Sequence, residues 1–450
     1  MKYTINNIET LYNIYKESTG VTTDSRKATD GKLFFALKGE NFDGNEYAQK
    51  AIESGAVCAV VNSSSEVALK LAGAADSHFF VVEDTLLALQ ELANFHRHQF
   101  HIPIIGLTGT NGKTTTKELI KTVLSSSYEV LATEGNLNNH IGVPLTLLRL
   151  NKSYQIAVVE MGASSPGEIK MLVDIVEPTS GLVTNVGRAH LLGFGSFEGV
   201  IKTKGELYDY LVSHFMNIFV NADNQYLNSM LEERGAKENL VHIYGKSIQG
   251  VEILEVSAEK PFLRFKISFS DDKGRWEELV ETNLIGSYNI DNVLCAIKVG
   301  EFFNVSFKEA AHSIYNYYPS NNRSELRKTD KNLLIIDAYN ANPTSMTASL
   351  NNFFQSNFNN KMVILGDMRE LGEDSYKEHL KIIELLKGKN LEKVILVGSE
   401  FGKFQSEFDF IFCQDVEKLQ EMMKIEPFQN KTILVKGSNG IRLQDILPNL

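Results

Sequence analysis

Residues 108–115 (TGTNGKTT) have the composition of a loop that binds phosphate. Glycines let backbone N–H groups turn toward an anion, and the N-terminus of a following helix adds its positive end. Lys113 would neutralise the β- and γ-phosphates, and the Thr114 hydroxyl would bind Mg²⁺. The residues expected to hold the nucleotide are Gly109, Thr110, Asn111, Gly112, Lys113, Thr114 and Thr115.

The match to the strict GxxxxGK[ST] pattern fails, because Leu107 stands where the first glycine belongs. The alternative interpretation is a tight turn that carries a lysine by chance. We favour the phosphate loop, since an apolar strand, a turn and a helix follow one another in the order that this site needs.

Three further polar residues follow predicted strands or lie on a predicted helix. Glu160 follows QIAVV, His190 follows GLVTNVG, and Lys204 lies in KTKGE. Ligands of open α/β sheets bind at the carboxyl ends of strands, so these side chains could hold Mg²⁺ beside the phosphates. Each also has an ordinary interpretation, respectively a surface carboxylate, a hydrogen-bonded loop histidine and a solvated helix lysine.

The elements that would position these residues are short apolar runs alternating with helical segments, which predicts an α/β fold. We expect strands at 33–37, 56–61, 79–82, 102–107, 155–159, 181–184, 215–220, 333–336, 362–365, 394–397 and 433–435. We expect helices at 45–54, 86–98, 114–124 and 291–303. Apolar and polar residues alternate over 263–269 before the turn 271–274, which predicts an antiparallel hairpin with one wet face.

The 450 residues suggest three domains, at roughly 150 residues each. We predict a small N-terminal α/β domain over 1–83 and a central P-loop-type domain over 84–319, with a mostly parallel sheet and helices on both faces. A C-terminal Rossmann-like domain would follow over 320–450, after the linker 319–322 (PSNN).

Composition excludes several classes of protein. The chain is 43% hydrophobic and 22% charged, as expected for a globular protein, and its net charge of −11 disfavours non-specific nucleic-acid binding. Cys58, Cys295 and Cys413 form no CxxC pair, so a reducing cytosol is favoured over a disulfide framework or a thiolate zinc site. No signal peptide and no membrane span are expected.

The sequence resembles the Mur ligases, the ATP-dependent amide-forming enzymes of peptidoglycan synthesis. Besides the phosphate loop, the resemblance rests on LFFALKGENFDG (33–44), NLNNHIGVPL (136–145), EMGA (160–163), NVGRAH (185–190), DAYNANPTSM (337–346), LGDMRELGE (365–373) and KGS (436–438). It implies a cytoplasmic, monomeric ligase that uses ATP and Mg²⁺, with two ions expected. The enzyme would join D-alanyl-D-alanine to UDP-N-acetylmuramoyl-tripeptide through an acyl phosphate, and so serve cell-wall biogenesis, cell shape and cell division.

The resemblance also implies a role for individual residues. The catalytic set is Lys113, Glu160, His190, Lys204 and Arg323, and the metal set is Thr114, Glu160, His190 and Lys204, the last as a carbamylated lysine. Asn289, Asn292, Arg323 and Asp337 would contact the nucleotide, with Asn292 at the adenine and Asp337 at the ribose. The peptide and nucleotide-sugar substrates would meet Ser25, Arg26, Lys38, Gly39, Asp43, Gly44, Asn138, Asn139, Tyr339, Asn340 and Asn342.

Two positions depart from the family pattern: Tyr288 replaces a usual histidine, and Arg323 lacks the usual preceding glycine. Locally, Asn342 and Pro343 also predict the cap and first residue of a helix. Other hypotheses are a sibling ligase, a ligase like folylpolyglutamate synthase, and a nucleotide-hydrolysing switch protein. The residues leave open whether the third residue of the tripeptide is diaminopimelate or lysine.

Overall fold

The computed structural model describes residues 7–26, 29–70, 78–257, 259–271, 274–319 and 323–450. Helices and strands alternate along the chain, so the predicted α/β class is confirmed. Part of the expected hairpin turn, 272–273, and part of the expected linker, 320–322, lie outside the described residues. No helix within the described ranges is both long enough and apolar enough to cross a bilayer.

Three of the four predicted helices, 86–98, 114–124 and 291–303, have ends within one residue of the predicted ones. The α-helices of the described residues are numbered in chain order. They are α1 Ile8–Glu17, α2 Ala48–Glu53, α3 Glu66–Lys70, α4 Thr85–Arg97, α5 Lys113–Leu124, α6 Gly142–Leu147, α7 Glu168–Val176, α8 Leu191–Phe194, α9 Phe197–Ser213, α10 Gln225–Glu232, α11 Ile290–Phe302, α12 Phe307–Tyr315, α13 Pro343–Gln355, α14 Ser375–Leu386, α15 Ser399–Gly402 and α16 Val416–Ile425. Short 3₁₀ helices cover Gly44–Tyr47, Glu238–Leu240, Ser287–Asn289, Gly372–Asp374, Asn439–Ile441 and Leu443–Asn449. The helix expected at 45–54 is therefore a 3₁₀ turn followed by α2.

The strands include all those that apolar runs predicted. They are β1 Val21–Thr22, β2 Leu33–Phe35, β3 Cys58–Asn62, β4 Phe79–Val82, β5 Ile104–Thr108, β6 Val130–Ala132, β7 Ile156–Glu160, β8 Ser180–Val183, β9 Asn217–Asn221, β10 Val241–Tyr244, β11 Glu252–Ile253, β12 Arg264–Asp271, β13 Gly274–Glu281, β14 Glu325–Lys328, β15 Leu333–Asp337, β16 Lys361–Gly366, β17 Lys393–Val397, β18 Ile411–Cys413 and β19 Thr432–Lys436.

The chain forms two compact units, and the first comprises residues 1–107, 128–163 and 168–180. Its N-terminal sheet has the order β1-β2-β3-β4, with all pairs parallel. Alanines such as Ala48, Ala51 and Ala59 are buried in the core beside this sheet. The same unit holds β5, β7 and β6, which pair in parallel in that order.

The second unit comprises residues 108–127, 164–167 and 181–450. In it β9 and β10 are parallel, and β11, β12 and β13 form a separate antiparallel sheet. Leu263, Phe265 and Ile267 are buried, whereas the alternate residues Arg264 and Lys266 are only partly covered. The predicted hairpin with one wet face is therefore confirmed.

The C-terminal sheet lies within the second unit and has the order β14-β15-β19-β16-β17-β18. Its inner strands are parallel, as a Rossmann-like domain requires, but β14 runs antiparallel to β15. Neighbouring residues of β16 point into two different cores, Leu365 with Leu350 of α13 and Ile364 with Leu419 of α16. The strands read as continuous apolar runs because both faces of the sheet are covered.

All three cysteines are buried, each in a different structural element. Cys58 begins β3, Cys295 lies in α11 and Cys413 ends β18. None of them is disulfide-bonded, and burial raises the pKa of the Cys295 thiol to about 12.

Candidate active site

The turn that precedes α5 has a backbone that only glycine fits well. Gly109 has a φ of +147° and Gly112 a φ of +77°, which side chains of L-residues rarely adopt. A Cβ at Gly109 would lie 2.0 Å from Thr184 Oγ1, and one at Gly112 would lie 2.6 Å from Asn292 Oδ1. The turn is therefore closely packed, and its conformation depends on glycine at both positions.

Replacing Gly109 with alanine should weaken nucleotide binding about tenfold, since strain of about 1–3 kcal/mol and the Thr184 clash would distort the loop. Calorimetric titration with ATP measures the change. Gly402→Ala is the control, because a Cβ there meets nothing within 4 Å and the backbone φ is ordinary. Equal affinities for the two variants would contradict the assignment of the loop.

The loop is held by the segment that follows β8. Asn111 N donates to Asn185 Oδ1 at 3.0 Å, and Asn111 O accepts from Thr184 Oγ1 at 2.7 Å and from Asn185 Nδ2 at 3.0 Å. Thr110 Oγ1 accepts from Gly187 N at 3.0 Å. Asn185 was not among the predicted site residues, although it begins the NVGRAH run, because its contact with the loop depends on the order of strands in space.

Lys113 is the first residue of α5, and its ammonium lies over its own loop. Nζ donates to Gly109 O at 2.8 Å and to Thr110 O at 3.1 Å. Thr114 is buried and Thr115 is partly buried in the same helical turn. The predicted lysine and hydroxyl are thus both at the helix N-terminus, where anions are favoured.

Asn289 and Asn292 are buried in a chain of hydrogen bonds that ties the start of α11 to α5. Asn292 Oδ1 accepts from Thr116 Oγ1 at 3.0 Å, and Asn292 Nδ2 donates to Asn289 Oδ1 at 2.9 Å. Asn289 Nδ2 donates to Ile285 O at 2.8 Å and to Ser324 Oγ at 3.2 Å. These amides position the helix, and the adenine contact of Asn292 stays a prediction.

Tyr288, which replaces the usual family histidine, lies beside the same chain of hydrogen bonds. Its hydroxyl is 3.4 Å from Ser324 Oγ, and burial followed by the nearby Asp337 carboxylate raises its pKa well above 10. The tyrosine is therefore a neutral hydrogen-bonding group at physiological pH.

Asp337 ends β15, Tyr339 and Asn340 follow it, and the three residues lie beside two cations. The Arg323 guanidinium lies 3.7 Å from the Tyr339 ring centroid. Asp337 Oδ2 accepts from Lys436 Nζ at 2.5 Å, and the same ammonium donates to Asn340 O at 3.3 Å. Lys436 is only 1% exposed, so this ion pair is a fixed part of the site. The KGS run contained Lys436, but its partner could not be identified from spacing.

Asn342 joins the C-terminal domain to the phosphate loop. Its Oδ1 accepts from Ser345 N at 2.9 Å, and Pro343 begins α13, which confirms the predicted cap. Its Nδ2 also donates to Asn111 Oδ1 at 2.7 Å. One side chain therefore caps a helix and contacts the loop expected to bind ATP.

Asn342→Ala should lower the free energy of unfolding by about 1 kcal/mol through loss of the cap. It should also weaken ATP binding, because Asn111 loses its partner. Ser306→Ala is the matched control, since Ser306 forms a capping box with Glu309 at the start of α12. Denaturant unfolding and ATP titration of both variants test the prediction, which fails if ATP affinity falls equally in the two.

His190 and Lys204 lie on neighbouring elements after β8. His190 precedes α8 in a left-handed conformation with a φ of +51°, and its Nδ1 makes a close contact with Glu370 Oε2. The adjacent His190 imidazole lowers the pKa of Glu370. Lys204 is 2% exposed on α9, with Nζ 5.3 Å from the Phe194 ring centroid. The alternative of a solvated helix lysine is therefore wrong.

Glu160 lies in the first unit, at the carboxyl end of β7, and is 1% exposed. Its Oε1 accepts from Asn138 Nδ2 at 2.8 Å, and its backbone N donates to Thr133 Oγ1 at 2.9 Å. Asn139 Oδ1 accepts from Gly142 N at 2.9 Å at the start of α6. Asn138 thus positions a buried carboxylate, while Asn139 holds the adjoining turn.

The residues expected to meet the nucleotide-sugar substrate lie in two turns of the first unit. Arg26 pairs with Asp24 at 2.9 Å and is exposed, next to the partly exposed Ser25. Lys38 and Asp43 face each other across the second turn in an antiparallel bridge.

Glycines close the second of these turns. A Cβ at Gly44 would lie 2.5 Å from Leu37 O, and one at Gly39 would lie 2.5 Å from the Phe42 ring. Asp43 Oδ1 accepts from Asn45 N at 2.9 Å. Substrate contact by these residues and by Ser25 and Arg26 stays a prediction.

Within the described ranges, no three His, Cys, Asp or Glu side chains come together as a metal site. Mg²⁺ usually takes one or two protein carboxylates and completes its shell with phosphate oxygens and waters. The buried Glu160 carboxylate of the first unit and the Thr114 hydroxyl of the second are each oxygen donors of the kind that Mg²⁺ takes. The chemistry of each residue therefore fits the predicted metal.

A groove of about 1040 Å³ opens in the second unit. It lies at the carboxyl ends of β16, β17 and β18, which is where open α/β sheets bind ligands. Its charged lining residues are Asp367, Arg369, Glu370, Glu373, Glu400, Lys403, Asp415, Glu417 and Arg442. The groove was not predictable from the sequence, because its walls come from five separate segments, near residues 192, 367–376, 398–403, 414–417 and 440–442.

Comparison with known proteins gives a consistent result. The Mur ligase family catalytic domain matches residues 17–97, the Mur ligase middle domain matches residues 107–300, and the Mur ligase glutamate ligase domain matches residues 322–439. The UDP-N-acetylmuramoyl-tripeptide–D-alanyl-D-alanine ligase of Bacillus subtilis is 33% identical over 100% of this chain and 98% of its own length.

Two solved structures are similar over almost their whole length. A MurF crystal structure from Acinetobacter baumannii has a TM-score of 0.83 and 28% identity, covering 98% of both chains. The MurF ligase of Thermotoga maritima, solved in complex with ADP, has a TM-score of 0.80 and covers 95% of this chain and 96% of its own. At 24% identity, the second supports the fold alone.

Proposed function

The chain belongs to the Mur ligase family, and from that premise we propose that it joins D-alanyl-D-alanine to UDP-N-acetylmuramoyl-tripeptide at the expense of ATP. The observation that carries the proposal is the full-length match to a curated ligase whose name states both substrates. The geometry supports it, because the phosphate loop, the Asp337–Lys436 ion pair and the buried Lys204 all lie in the second unit.

The reaction needs an activated carboxylate, because a free carboxylate and an amine simply form a salt. The terminal carboxylate of the tripeptide attacks the γ-phosphorus of ATP, forming an acyl phosphate and releasing ADP. The dipeptide amine then attacks the acyl carbon, the amide forms, and inorganic phosphate leaves. Phosphoryl transfer depends mostly on positioning and charge stabilisation.

The roles of the chain's own residues follow from charge and position. Lys113 offsets the negative charge that gathers at the transferred phosphoryl group, and Arg323 adds a second cation, held flat against Tyr339. Asp337 holds the ribose, with its carboxylate fixed by Lys436. Asn289 and Asn292 hold the start of α11 at the adenine.

Mg²⁺, expected as two ions, would be held by Thr114, Glu160, His190 and Lys204, and would screen the phosphate charge during transfer. Carbamylation of Lys204 by CO₂ would turn an amine into a carboxylate-like ligand. Burial of the lysine at 2% exposure supports this, since a carbamate survives best where water is excluded.

The groove at the ends of β16, β17 and β18 is our proposed site for D-alanyl-D-alanine. Its lining carries both acidic and basic side chains, and a dipeptide zwitterion needs an acid for its ammonium and a base for its carboxylate. We also propose that residues 1–83 hold the nucleotide sugar, 84–319 the ATP phosphates, and 320–450 the nucleoside and the dipeptide.

We further propose that the enzyme acts as a monomer in the cytoplasm. The three cysteines form no disulfide, which supports a reducing compartment. A nucleotide-hydrolysing switch protein remains the competing function, since a phosphate loop alone would serve it.

An ADP-release assay with ATP and Mg²⁺ separates these functions. UDP-N-acetylmuramoyl-tripeptides with diaminopimelate or lysine at the third position are tested with and without D-alanyl-D-alanine. We expect dipeptide-dependent ADP release with at least one tripeptide. ADP release at the same rate with and without the tripeptide and the dipeptide would favour the switch protein. The ligase proposal would be removed if D-alanyl-D-alanine increased ADP release with neither tripeptide.

A further inference from the structure

His379 is a fully buried histidine of α14 that the proposed reaction does not use. Its imidazole lies beside residues 367–371, the loop that joins β16 to the 3₁₀ helix Gly372–Asp374, and all five loop residues line the groove. We propose that His379 is a positioning residue, which holds this loop through the backbone N–H of Met368 and so sets the affinity of the groove for its dipeptide. The inference rests on the proposed function, because that function assigns D-alanyl-D-alanine to the groove.

Hydrogen bonds at both ring nitrogens fix the protonation state of the imidazole. Nε2 lies 3.0 Å from Met368 N, and a backbone N–H can only donate, so Nε2 carries a lone pair. Nδ1 lies 2.8 Å from Ser375 O, and a carbonyl oxygen can only accept, so Nδ1 carries the proton. The two contacts require the same neutral tautomer. Burial lowers the pKa of His379, which favours the neutral form.

The place of His379 in α14 directs its ring toward the loop. Helical side chains lean toward the N-terminus of their helix, so His379 reaches back over Ser375 in the first turn. The Phe401 ring packs against the imidazole at nearly a right angle, with ring centroids 4.7 Å apart. A ring that is packed and hydrogen-bonded at both nitrogens has one orientation, so its Nε2 is a fixed acceptor.

Met368 N–H is the group that ties the loop to this acceptor. The preceding Asp367 is satisfied elsewhere, since its carboxylate accepts from Glu400 N and Phe401 N, each at 2.9 Å. Asp367 Oδ1 is 3.8 Å from His379 Nε2, which is longer than a hydrogen bond. Because Met368 is only 1% exposed, water is poorly placed to replace Nε2 as the acceptor. Loss of the imidazole would therefore leave a buried donor unsatisfied or displace the loop.

Displacement of Met368 would move a cation of the groove wall. Arg369 follows directly, its N donates to Ser438 Oγ at 2.9 Å, and its guanidinium occupies the space where a Cβ of Gly440 would lie. The carboxylate of a dipeptide needs a cation in a fixed position. His379 thus acts on the dipeptide through the loop, without any contact of its own.

The first test examines the tautomer and the loop without any substrate. Long-range ¹H–¹⁵N NMR of the full-length protein, with the signal assigned by His379→Gln, should show hydrogen on Nδ1 alone. Amide hydrogen exchange over residues 367–371, followed by mass spectrometry, should be about tenfold faster in His379→Leu, which offers no acceptor. In His379→Gln, Oε1 can accept in place of Nε2, so exchange should stay within about threefold of the wild type.

The second test is steady-state ligation with each substrate varied in turn. We expect the KM for D-alanyl-D-alanine to rise about tenfold in His379→Leu and less than about threefold in His379→Gln, with the KM for ATP nearly unchanged in both. His96→Leu is the matched control, because His96 is a 5% exposed histidine of the first unit with Nε2 2.9 Å from Leu150 O. It loses a buried imidazole without a change in the dipeptide KM.

The outcomes separate this inference from the proposed function. A wild-type signal with hydrogen on Nε2 overturns the inference without reference to any variant, even if His379→Leu fails to fold. Unchanged exchange over the loop, or an unchanged dipeptide KM, in His379→Leu would also overturn it. A wild type with the expected tautomer and a protected loop but no dipeptide-dependent ADP release would instead overturn the proposed function, while the hold of His379 on the loop would stand.

Discussion

Lys113→Met is expected to lower the ligation rate by about 100- to 1000-fold, the usual effect of removing one preorganised charge-stabilising group. The lysine ammonium lies over the loop carbonyls of Gly109 and Thr110, where the phosphates of ATP are expected. Methionine keeps the length and much of the packing of the side chain but removes its charge. Steady-state ADP release with both substrates saturating measures the effect.

Lys121→Met is the matched control, because Lys121 is exposed in the last turn of the same helix. It should change the rate less than twofold. If Lys113→Met retained more than about a tenth of the wild-type rate, Lys113 would not be the main cation at the transferred phosphoryl group.

Asp337→Ala should have the largest effect on stability, lowering the free energy of unfolding by about 3 kcal/mol. The change leaves the Lys436 ammonium, 1% exposed, without the carboxylate that lies 2.5 Å away. A buried charge without its partner costs far more than the intact pair contributes. The variant should also bind ATP more weakly, since the ribose loses its acceptor. Urea unfolding and ATP titration measure the two effects.

The double variant Asp337→Ala, Lys436→Met is the control for the stability effect. It removes both charges, so it should be more stable than Asp337→Ala alone, which a double-mutant cycle detects as a coupling energy. If Asp337→Ala alone had wild-type stability, the buried Lys436 ammonium would not depend on its carboxylate partner. Full ATP affinity in Asp337→Ala would remove the ribose role while leaving the ion pair intact as a structural feature.

Structural features that depend on residues adjacent in the sequence, such as inner strands and helix caps, were predictable. The apolar runs identified the inner strands, because helices cover both faces of the sheets and leave no polar face. Asn342 and Pro343 identified the start of α13, since a cap depends on the next three residues. Strand β14 (ELRK) escaped prediction because an edge strand exposed on one side need not be apolar.

Contacts between distant segments were not predictable from one sequence. Asp337 and Lys436 lie 99 positions apart, and nothing in either run indicates that β15 and β19 are neighbours. The same holds for His190 and Glu370, which meet only because a loop of the C-terminal sheet reaches α8. Lysine is a residue type usually found at the surface, and the burial of Lys204 depends on what packs against α9.

The three buried cysteines allow local stability to be measured in three regions of the intact protein. Cys58 lies in the N-terminal sheet, Cys295 in the helix tied to the phosphate loop and Cys413 in the C-terminal sheet. A thiol reagent reaches each of them only when its surroundings open, so labelling rates resolved by mass spectrometry give a local opening energy for each region. Saturating ATP should slow labelling of Cys295 and Cys413 and leave Cys58 unchanged, whereas the nucleotide-sugar substrate should slow labelling of Cys58.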